Sequence, residues 1–306
     1  MSTRKFIALG TASQVPTRHR NHNGYFLKWD EDGILFDPGE GTQRQMIFAN
    51  VAASEITKIC ITHFHGDHCL GLAGVIQRLS LDKVAHAVEV YYPASGQQYF
   101  DNLKNASIFY NTANIQERPI TEPGIIFSSD HFTLETQRLN HTVEAWGYRL
   151  QELDSVTMLP ERLEAFGIRG AEIGRLKKLG AVEKNGQVIS LAQVSLPNAG
   201  QSVAFVMDTG MCVAAIALAH NVDLLICEST YLASEQAEAV SRGHLTAQQA
   251  ATIAQEAGAK LLVLTHFSQR YAAIEEFARE AQAIHPQTIA VQDGDVIEVP
   301  KKQRNE

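Results

Sequence analysis

The chain has 306 residues, of which 45% are hydrophobic and 20% are charged, and its formal net charge is −8. These values are typical of a soluble globular protein, and no apolar run approaches the roughly 20 residues that a membrane helix needs. The acidic balance excludes indiscriminate nucleic-acid binding, because phosphate contacts require lysine and arginine. We expect residues 1–306 to form a single domain with one inserted arm, since large sandwiches of this length often share one core.

The N-terminal part of the chain alternates short strands with glycine and aspartate. Strand-like segments at residues 5–10, 24–29 and 33–37 predict an antiparallel sheet. The glycines at positions 39 and 41 permit close backbone approach, and a helix is predicted from Thr42. The first residues lack the long apolar core and cleavage site of a secretory signal, which predicts a cytoplasmic location.

Residues 62–68 place four potential metal ligands directly after an apolar run. His63, His65, Asp67 and His68 combine imidazoles with a carboxylate, the ligand set of zinc or manganese. Their spacing lets the first two face one ion and the last two face another, and the following segment has the apolar spacing of a helix. The alternative is a solvated loop rich in histidine, a description that fits the remaining scattered histidines, which include His19, His22, His86 and His220.

Three later strand-like segments also end in residues that can bind a metal. Residues 132–139 precede His141, residues 202–207 precede Asp208, and residues 260–264 precede His266. Taken singly, either histidine would more often be structural. If the strand ends converge, we expect His63, His65 and His141 on one ion, Asp67, His68 and His266 on the other, and Asp208 between them.

His244 and Glu228 are two further candidates for a role at the site. His244 precedes a helix that Thr246 and Gln249 begin with a capping box, and it is either a proton donor, a phosphate contact or an ordinary surface residue. Glu228 ends an apolar strand and either orients a ligand histidine or caps the next turn.

The four cysteines are predicted to be buried thiols. Cys60 and Cys227 lie within apolar strand patterns, and no Cys-x-x-Cys pair is present. Cys69 adjoins the predicted metal loop, but histidine and carboxylate are the more suitable ligands there.

A basic segment interrupts the acidic chain at residues 162–187. Six basic and three acidic residues give it a charge of +3, which leaves −11 on the rest of the chain. We expect an arm at residues 152–200 that carries this segment, and the candidates for substrate binding are Arg169, Arg175, Lys177 and Lys178.

The sequence resembles the metallo-β-lactamase superfamily through the His-x-His-x-Asp-His pattern of residues 63–68. Within the superfamily it is most similar to the ribonuclease Z family. The similarity spans most of the chain and includes Leu-Gly-Thr-Ala at 9–12, Phe-Asp-Pro-Gly-Glu-Gly-Thr-Gln at 36–43, Gly-Tyr-Arg at 147–149, Gly-His at 243–244 and Leu-Thr-His-Phe-Ser-Gln-Arg-Tyr at 264–271. Pro38 and Leu245 replace the usual cysteine and serine of that family, and the arm lacks the usual Gly-Pro.

The resemblance implies a fold, cofactors and partners. It implies an α/β fold, the four-layer αβ/βα sandwich, with two zinc ions per subunit (manganese or iron being alternatives), a homodimer, and an arm that grips precursor tRNA. The implied reaction is endonucleolytic removal of the 3′ trailer, leaving a 3′-hydroxyl on the tRNA and a 5′-phosphate on the trailer. In this reaction Asp67 would accept a proton and His244 would donate one.

Two other functions are compatible with the sequence. A related binuclear-metal phosphodiesterase or arylsulfatase acting on small esters would share the metal residues but would not need the basic arm. A nucleic-acid-binding module with structural metals is disfavoured by the complete ligand set, because structural zinc sites are normally closed and mononuclear.

Overall fold

A computed structural model describes residues 3–301 and shows two seven-stranded sheets. In chain order the first sheet contains β1 (Arg4–Gly10), β2 (Gly24–Trp29), β3 (Asp32–Phe36), β4 (Lys58–Cys60), β5 (Val88–Pro93), β6 (Ile115–Ile120) and the last strand, β18 (Val296–Glu298). The second contains β7 (Gly124–Ser128), β8 (Phe132–Arg138), β9 (Trp146–Glu152), β14 (Ser202–Val206), β15 (Leu224–Glu228), β16 (Leu261–Thr265) and β17 (Thr288–Ala290). The antiparallel pairing predicted for the first three strands is confirmed.

The sheets change from antiparallel to parallel pairing near the middle. β3, β4, β5 and β6 are mutually parallel, as are β14, β15, β16 and β17. Consecutive parallel strands require crossover connections, and these supply most of the helices. The helices are α1 (Thr42–Phe48), α2 (Gly66–Cys69), α3 (Leu72–Leu81), α4 (Gln97–Lys104), α5 (Pro160–Ala165), α6 (Ala171–Leu179), α7 (Leu191–Val194), α8 (Val213–Leu218), α9 (Gln236–Arg242), α10 (Ala247–Ala257) and α11 (Glu275–Gln282).

Three apolar layers hold the sandwich together. The central layer lies between the sheets and includes Phe36 and Phe205, whose ring centroids are 4.5 Å apart. One outer layer packs α1 and α3 on the first sheet, and the other packs α8, α10 and α11 on the second. Burial of each large apolar side chain contributes about 1.5–3 kcal/mol, which explains why the strands are apolar on both faces. The expected αβ/βα sandwich is therefore confirmed.

The segment between β9 and β14 has a small core of its own. It contains α5, α6, α7 and two antiparallel strand pairs, β10 (Ser155–Met158) with β13 (Ser195–Asn198) and the hairpin of β11 (Ala181–Lys184) with β12 (Gln187–Ser190). Leu163, Ile168, Leu176, Ile189 and Val194 form its buried cluster. We refer to this segment as the arm.

Most local predictions agree with the structure, with small differences. α1 begins at Thr42 as expected, and α10 has the capping box in which Thr246 accepts a hydrogen bond from the backbone N–H of Gln249. All four cysteines are free, but Cys212 is only half-buried, because it directly precedes α8 and does not lie within a strand. The helices within residues 3–301 are all too short or too polar to span a bilayer.

Candidate metal centre and active site

The predicted ligands come together at one edge of the sandwich. His63, His65, Asp67 and His68 lie between the end of β4 and the first turn of α2, while His141, Asp208 and His266 follow β8, β14 and β16. Because β14 and β16 are parallel strands of one sheet, their carboxyl ends reach the same edge. This pairing gathers Asp208 and His266, and the packing of the two sheets brings them to the ligand candidates after β4, up to 203 positions away in sequence.

The side chains form two adjoining groups. Within each group, the possible ligand atoms all lie within 4.8 Å of one another. The first group is His63, His65, His141 and Asp208, and the second is Asp67, His68 and His266. Asp208 reaches both groups: its Oδ2 is 3.6 Å from His63 Nε2 and 3.7 Å from His141 Nε2, and its Oδ1 is 3.0 Å from His266 Nε2. A third group of Asp208, His244 and His266 overlaps the second.

The polar atoms at the centre of these groups fit a bound cation. Asp208 Oδ1 and His266 Nε2 are buried and, among residues 3–301, have no hydrogen-bond partner. Their separation of 3.0 Å is short, but it does not have the geometry of a hydrogen bond. An unpaired buried carboxylate oxygen costs free energy, and a metal ion would remove that cost.

The protonation states of His63 and His65 are also suited to metal binding. Burial lowers the pKa of His63 well below its ordinary value, and burial likewise lowers the pKa of His65. Both imidazoles are therefore neutral, which is the form that binds a metal.

In the second group, His68 lies close to several carboxylates. Burial opposes a charge on His68, but the carboxylates of Asp208, Asp67 and Asp37 outweigh it and raise its pKa well above the ordinary value. Burial opposes ionisation of Asp67 as well, yet His68 and His266 hold its pKa well below its usual range. The ionised carboxylates of Asp67 and Asp208 beside this imidazole provide the negative field that a divalent cation requires.

The backbone is strained at three of these polar residues. Asp37, Asp208 and His266 have φ angles of 44°, 44° and 63°, in the left-handed region. Aspartate and histidine enter this region more readily than most residues, and such strain persists where the surroundings fix it. Asp37 and His266 directly follow β3 and β16, and Asp208 lies two residues after the end of β14, so the left-handed turn directs each side chain into the site.

Other polar groups fix the orientation of the ligand histidines. Asp37 Oδ2 lies 2.9 Å from His68 Nδ1, and the same carboxylate accepts a hydrogen bond from the backbone N–H of Thr62. The carbonyl oxygen of Gly243 lies 2.9 Å from His141 Nδ1. Contacts of this kind hold imidazoles with the other ring nitrogen facing a metal.

His244 is held against Glu228 at the side of the metal groups. Its Nδ1 is 2.9 Å from Glu228 Oε1, and Glu228 is completely buried. Burial opposes a charge on His244, but Glu228 and Asp208 outweigh it and raise its pKa to about 9. His244 is therefore protonated at neutral pH, the state that can donate a proton.

Glu228 has contacts on both of its oxygens. We expected it to orient a ligand histidine or to cap the next turn, and its Oε2 does accept a hydrogen bond from the backbone N–H of Thr230 in that turn at 3.3 Å, while its other oxygen pairs with His244. Oε2 also accepts hydrogen bonds from the Thr230 hydroxyl at 2.6 Å and the Leu245 backbone N–H at 3.1 Å. Thr230 Oγ1 in turn lies 2.7 Å from His266 Nδ1, so Thr230 links Glu228 to the ligand candidate His266.

A cavity of about 470 Å³ opens onto this site. His65, Asp67, Asp208, His244 and His266 line its floor. Its rim includes Tyr231, Arg242 and Arg270, which the sequence did not single out, with the Arg270 guanidinium 4.8 Å from the centre of the Tyr231 ring. The volume and openness to solvent allow a chain segment of a polymer to reach the metal groups.

The four basic candidates of the arm do not lie in this cavity. All four side chains are exposed: Arg169 lies just before α6, and Arg175, Lys177 and Lys178 lie on it. No residue of the arm is among those that line the cavity. Arg169 Nη2 is 3.6 Å from Glu164 Oε1 with both side chains 77% exposed, a separation that adds little stability. These cations are therefore available to a partner.

Comparison with known proteins agrees with this geometry. Residues 17–148 match the metallo-beta-lactamase superfamily. A ribonuclease Z of Salinispora arenicola is 56% identical over 282 residues, which cover 92% of this chain and 91% of that protein. A ribonuclease Z of Chlamydia pneumoniae is 46% identical over 293 residues, covering 96% of this chain and 95% of that one. This chain belongs to the ribonuclease Z family.

Solved structures support the membership in the ribonuclease Z family and its superfamily fold. The crystal structure of the short form of human tRNase Z aligns with a TM-score of 0.70 at 26% identity, covering 97% of this chain and 99% of that one. The metallo-beta-lactamase fold protein YhfI of Bacillus subtilis also aligns with a TM-score of 0.70, but at 19% identity it supports the fold alone.

Proposed function

We propose that this protein is a metal-dependent endoribonuclease that removes the 3′ trailer from precursor tRNA. The observation that carries the proposal is the convergence of seven histidine and aspartate side chains, with the His244–Glu228 pair beside them, in a chain of the ribonuclease Z family. The small-ester phosphodiesterase or arylsulfatase is not favoured, because the curated relatives at 45–56% identity are named ribonuclease Z.

A cleavage assay tests this function. Purified protein is incubated with an end-labelled precursor tRNA that carries a 3′ trailer, alongside a small chromogenic phosphodiester, with and without a chelator. We expect one discrete cut after the discriminator nucleotide that disappears with the chelator. An intact precursor together with a hydrolysed small ester would contradict the proposal.

We assign the seven converging residues to two metal ions per subunit, with zinc as the first candidate and manganese or iron as alternatives. His63, His65 and His141 would hold one ion, Asp67, His68 and His266 the other, and Asp208 both. Two divalent cations would supply an activated water and neutralise charge on the phosphate when bound.

Metal removal gives the first prediction. The cations would stabilise the native state because they bind the folded site and offset the buried carboxylates, so chelation should lower the melting temperature by about 5–10 °C. Differential scanning fluorimetry measures the change, and elemental analysis should find two equivalents before chelation. Addition of zinc should restore the original melting temperature. A melting temperature that changes neither on chelation nor on addition of zinc would contradict the ligand assignment.

The protein side chains would perform the proton transfers. Asp67 lines the cavity and is ionised, so it can accept the proton of the attacking water. His244 is protonated and can donate to the departing 3′-oxygen of the tRNA or hold a phosphate oxygen. Nδ1 of His244 faces Glu228, which leaves Nε2 as the atom that delivers the proton.

We further propose that the arm, residues 152–200, binds the tRNA away from the cut. The exposed cations on α6 are suited to phosphate contacts, although the chain as a whole is acidic. Replacing Lys177 and Lys178 with glutamine should lower kcat/KM on precursor tRNA by about tenfold. The slope of log(kcat/KM) against the logarithm of the salt concentration should become less steep by about one for each lost phosphate contact. Hydrolysis of the small phosphodiester should not change.

The matched control removes two positive charges elsewhere. Lys83 and Arg279 are exposed and lie outside the arm, so their double replacement with glutamine tests net charge alone. If the control variant loses as much tRNA cleavage as the arm variant, the arm has no specific role.

We also propose that the protein is a homodimer. Ile47 and Phe48 at the end of α1 are 60% and 62% exposed, and Leu70, which directly follows α2 and precedes the α3 helix that packs on α1, is 52% exposed. Neighbouring exposed apolar residues are typical of an interface. Ile47→Asp should convert the dimer to a particle of 33.7 kDa in light scattering, while Val240→Asp, which alters a comparably exposed residue on α9, should not. A monomeric wild type would contradict this proposal.

A cytoplasmic location stays a prediction of the sequence.

A further inference from the structure

Two aromatic rings meet at the segment after β4 that carries the ligand candidates, and neither ring belongs to a ligand candidate. Phe64 lies between His63 and His65 in sequence, and its ring centroid is 5.9 Å from that of Tyr99 on α4. The Tyr99 side chain is 56% exposed, and Phe64 is partly exposed. Exposing aromatic surface to water forfeits burial free energy, so this arrangement is unfavourable for stability alone.

The topology places both rings at the ligand edge of the first sheet. β4 and β5 are parallel neighbours, with Cys60 paired to Tyr91, so the segments that follow them emerge at the same edge. The segment after β4 contains Phe64 and the ligand candidates, and the segment after β5 leads directly into α4 and Tyr99. The exposed ring therefore lies on the side of the molecule where substrate must approach.

The ring of Phe64 is fixed in place. A Cβ atom at Gly96 would lie 2.0 Å from Phe64 Cδ2, so only glycine at this position admits the ring. Tyr92 contacts the ring from another side, with centroids 6.0 Å apart in an edge-to-face arrangement. Phe64 thus provides a rigid support against which Tyr99 rests.

We propose that Phe64 and Tyr99 form a stacking platform for an unpaired nucleobase next to the scissile phosphate. This inference rests on the proposed endoribonuclease function and adds a positioning element to it. The 3′ end of a precursor tRNA that is to be cut is single-stranded, and proteins hold unpaired bases chiefly by stacking them on aromatic rings. The base stacks on the exposed face of Tyr99, and Phe64 keeps that ring from turning away. A base fixed there positions the neighbouring phosphate beside His65.

Substitution of Tyr99 tests the platform without altering a ligand or its neighbour. Tyr99→Ala should lower kcat/KM on precursor tRNA about tenfold, the loss expected for one base–aromatic contact, while Tyr99→Phe should stay within about twofold of wild type. Tyr99→Leu keeps apolar bulk but not the aromatic face and should resemble the alanine variant. Hydrolysis of the small chromogenic phosphodiester should be equal in all four proteins.

Precursors with a single abasic nucleotide identify the stacked base. At one position beside the cut, loss of the base should slow the wild type about tenfold and should have no further effect on Tyr99→Ala. The control variant is Tyr110→Ala, because Tyr110 is 88% exposed but precedes β6 and so lies towards the opposite edge of the sheet.

The outcomes separate this inference from the function on which it rests. If the wild type leaves precursor tRNA intact, the proposed function and the platform both fail. If the wild type cuts precursor tRNA and Tyr99→Ala cuts it equally well, the platform alone is wrong. Equal losses of kcat/KM in Tyr99→Ala and Tyr110→Ala would also overturn it. The same holds if the abasic nucleotide slows Tyr99→Ala by the same factor as the wild type.

Discussion

Replacing Asp208 with asparagine is expected to lower kcat/KM on precursor tRNA by about 10³-fold or more, since cationic stabilisation of a phosphoryl transition state is worth several kcal/mol. Asp208 reaches both ligand groups, and its charge is retained although it is buried. Burial opposes its ionisation, but His266, His68 and His244 outweigh burial and hold its pKa well below the usual range. Loss of this charge should therefore release both ions, which elemental analysis of the purified variant measures directly.

Asparagine is the informative replacement for two reasons. It has nearly the same shape as aspartate, and it tolerates the left-handed backbone at this position, where φ is 44°. The control is Asp223→Asn, which alters another buried carboxylate that accepts a hydrogen bond from the Ser202 backbone N–H at 2.8 Å and pairs with Lys260 at 2.7 Å. The control should lose stability but retain metal and turnover. Full metal content and wild-type rate in Asp208→Asn would refute the shared-ligand role.

The sequence predicted which histidine and aspartate side chains come together, because their signal is local. His63, His65, Asp67 and His68 follow one strand within six positions, and His141, Asp208 and His266 each follow another apolar segment. Strand ends can be located from hydrophobic patterns, and the parallel pairing of β14 to β16 then brings them to one edge. The fold class was predictable from the same motifs through the family resemblance.

The residues that support the ligands could not be predicted in the same way. Asp37 contacts His68 from 31 positions away, and Glu228 contacts His244 across a helix and two turns. A carboxylate at a strand end has several possible partners, and only the packing of the two sheets selects one. The pairing of Phe64 with Tyr99 was missed for a related reason, because it depends on the parallel register of β4 with β5.

Replacing His244 with glutamine is expected to lower kcat on precursor tRNA by about 10²–10³-fold while KM and metal content stay close to wild type, because general-acid catalysis contributes about 10²–10⁴-fold. His244 must carry a proton to donate one. Its pKa is raised to about 9, so wild-type kcat should be constant around neutral pH and fall as pH rises through about 9. The glutamine variant should lack this decline, since it has no group that titrates there.

A change of leaving group separates proton donation from metal binding. His244 also lies within ligand distance of Asp208 and His266, so a loss of rate alone would not identify its role. Sulfur in place of the bridging 3′-oxygen gives a thiolate leaving group, which departs without protonation. His244→Gln should then cleave this precursor nearly as fast as the wild type, and the same should hold for a nitrophenyl phosphodiester. An undiminished defect on both substrates, accompanied by loss of metal, would instead make His244 a ligand.

Glu228 should affect the pH dependence of the reaction through His244. Glu228→Gln removes the negative charge that holds the proton, so the pKa of His244 should fall and the alkaline decline of kcat should move to lower pH than in the wild type. Because both carboxylate oxygens accept backbone hydrogen bonds, from Thr209 at 2.8 Å and Leu245 at 3.1 Å, the variant should also be less stable. The two effects are distinguishable, since lost stability lowers the active fraction equally at every pH whereas a weakened acid shifts the profile. An unshifted profile in Glu228→Gln would show that Glu228 supports the turn alone and does not tune the proton donor.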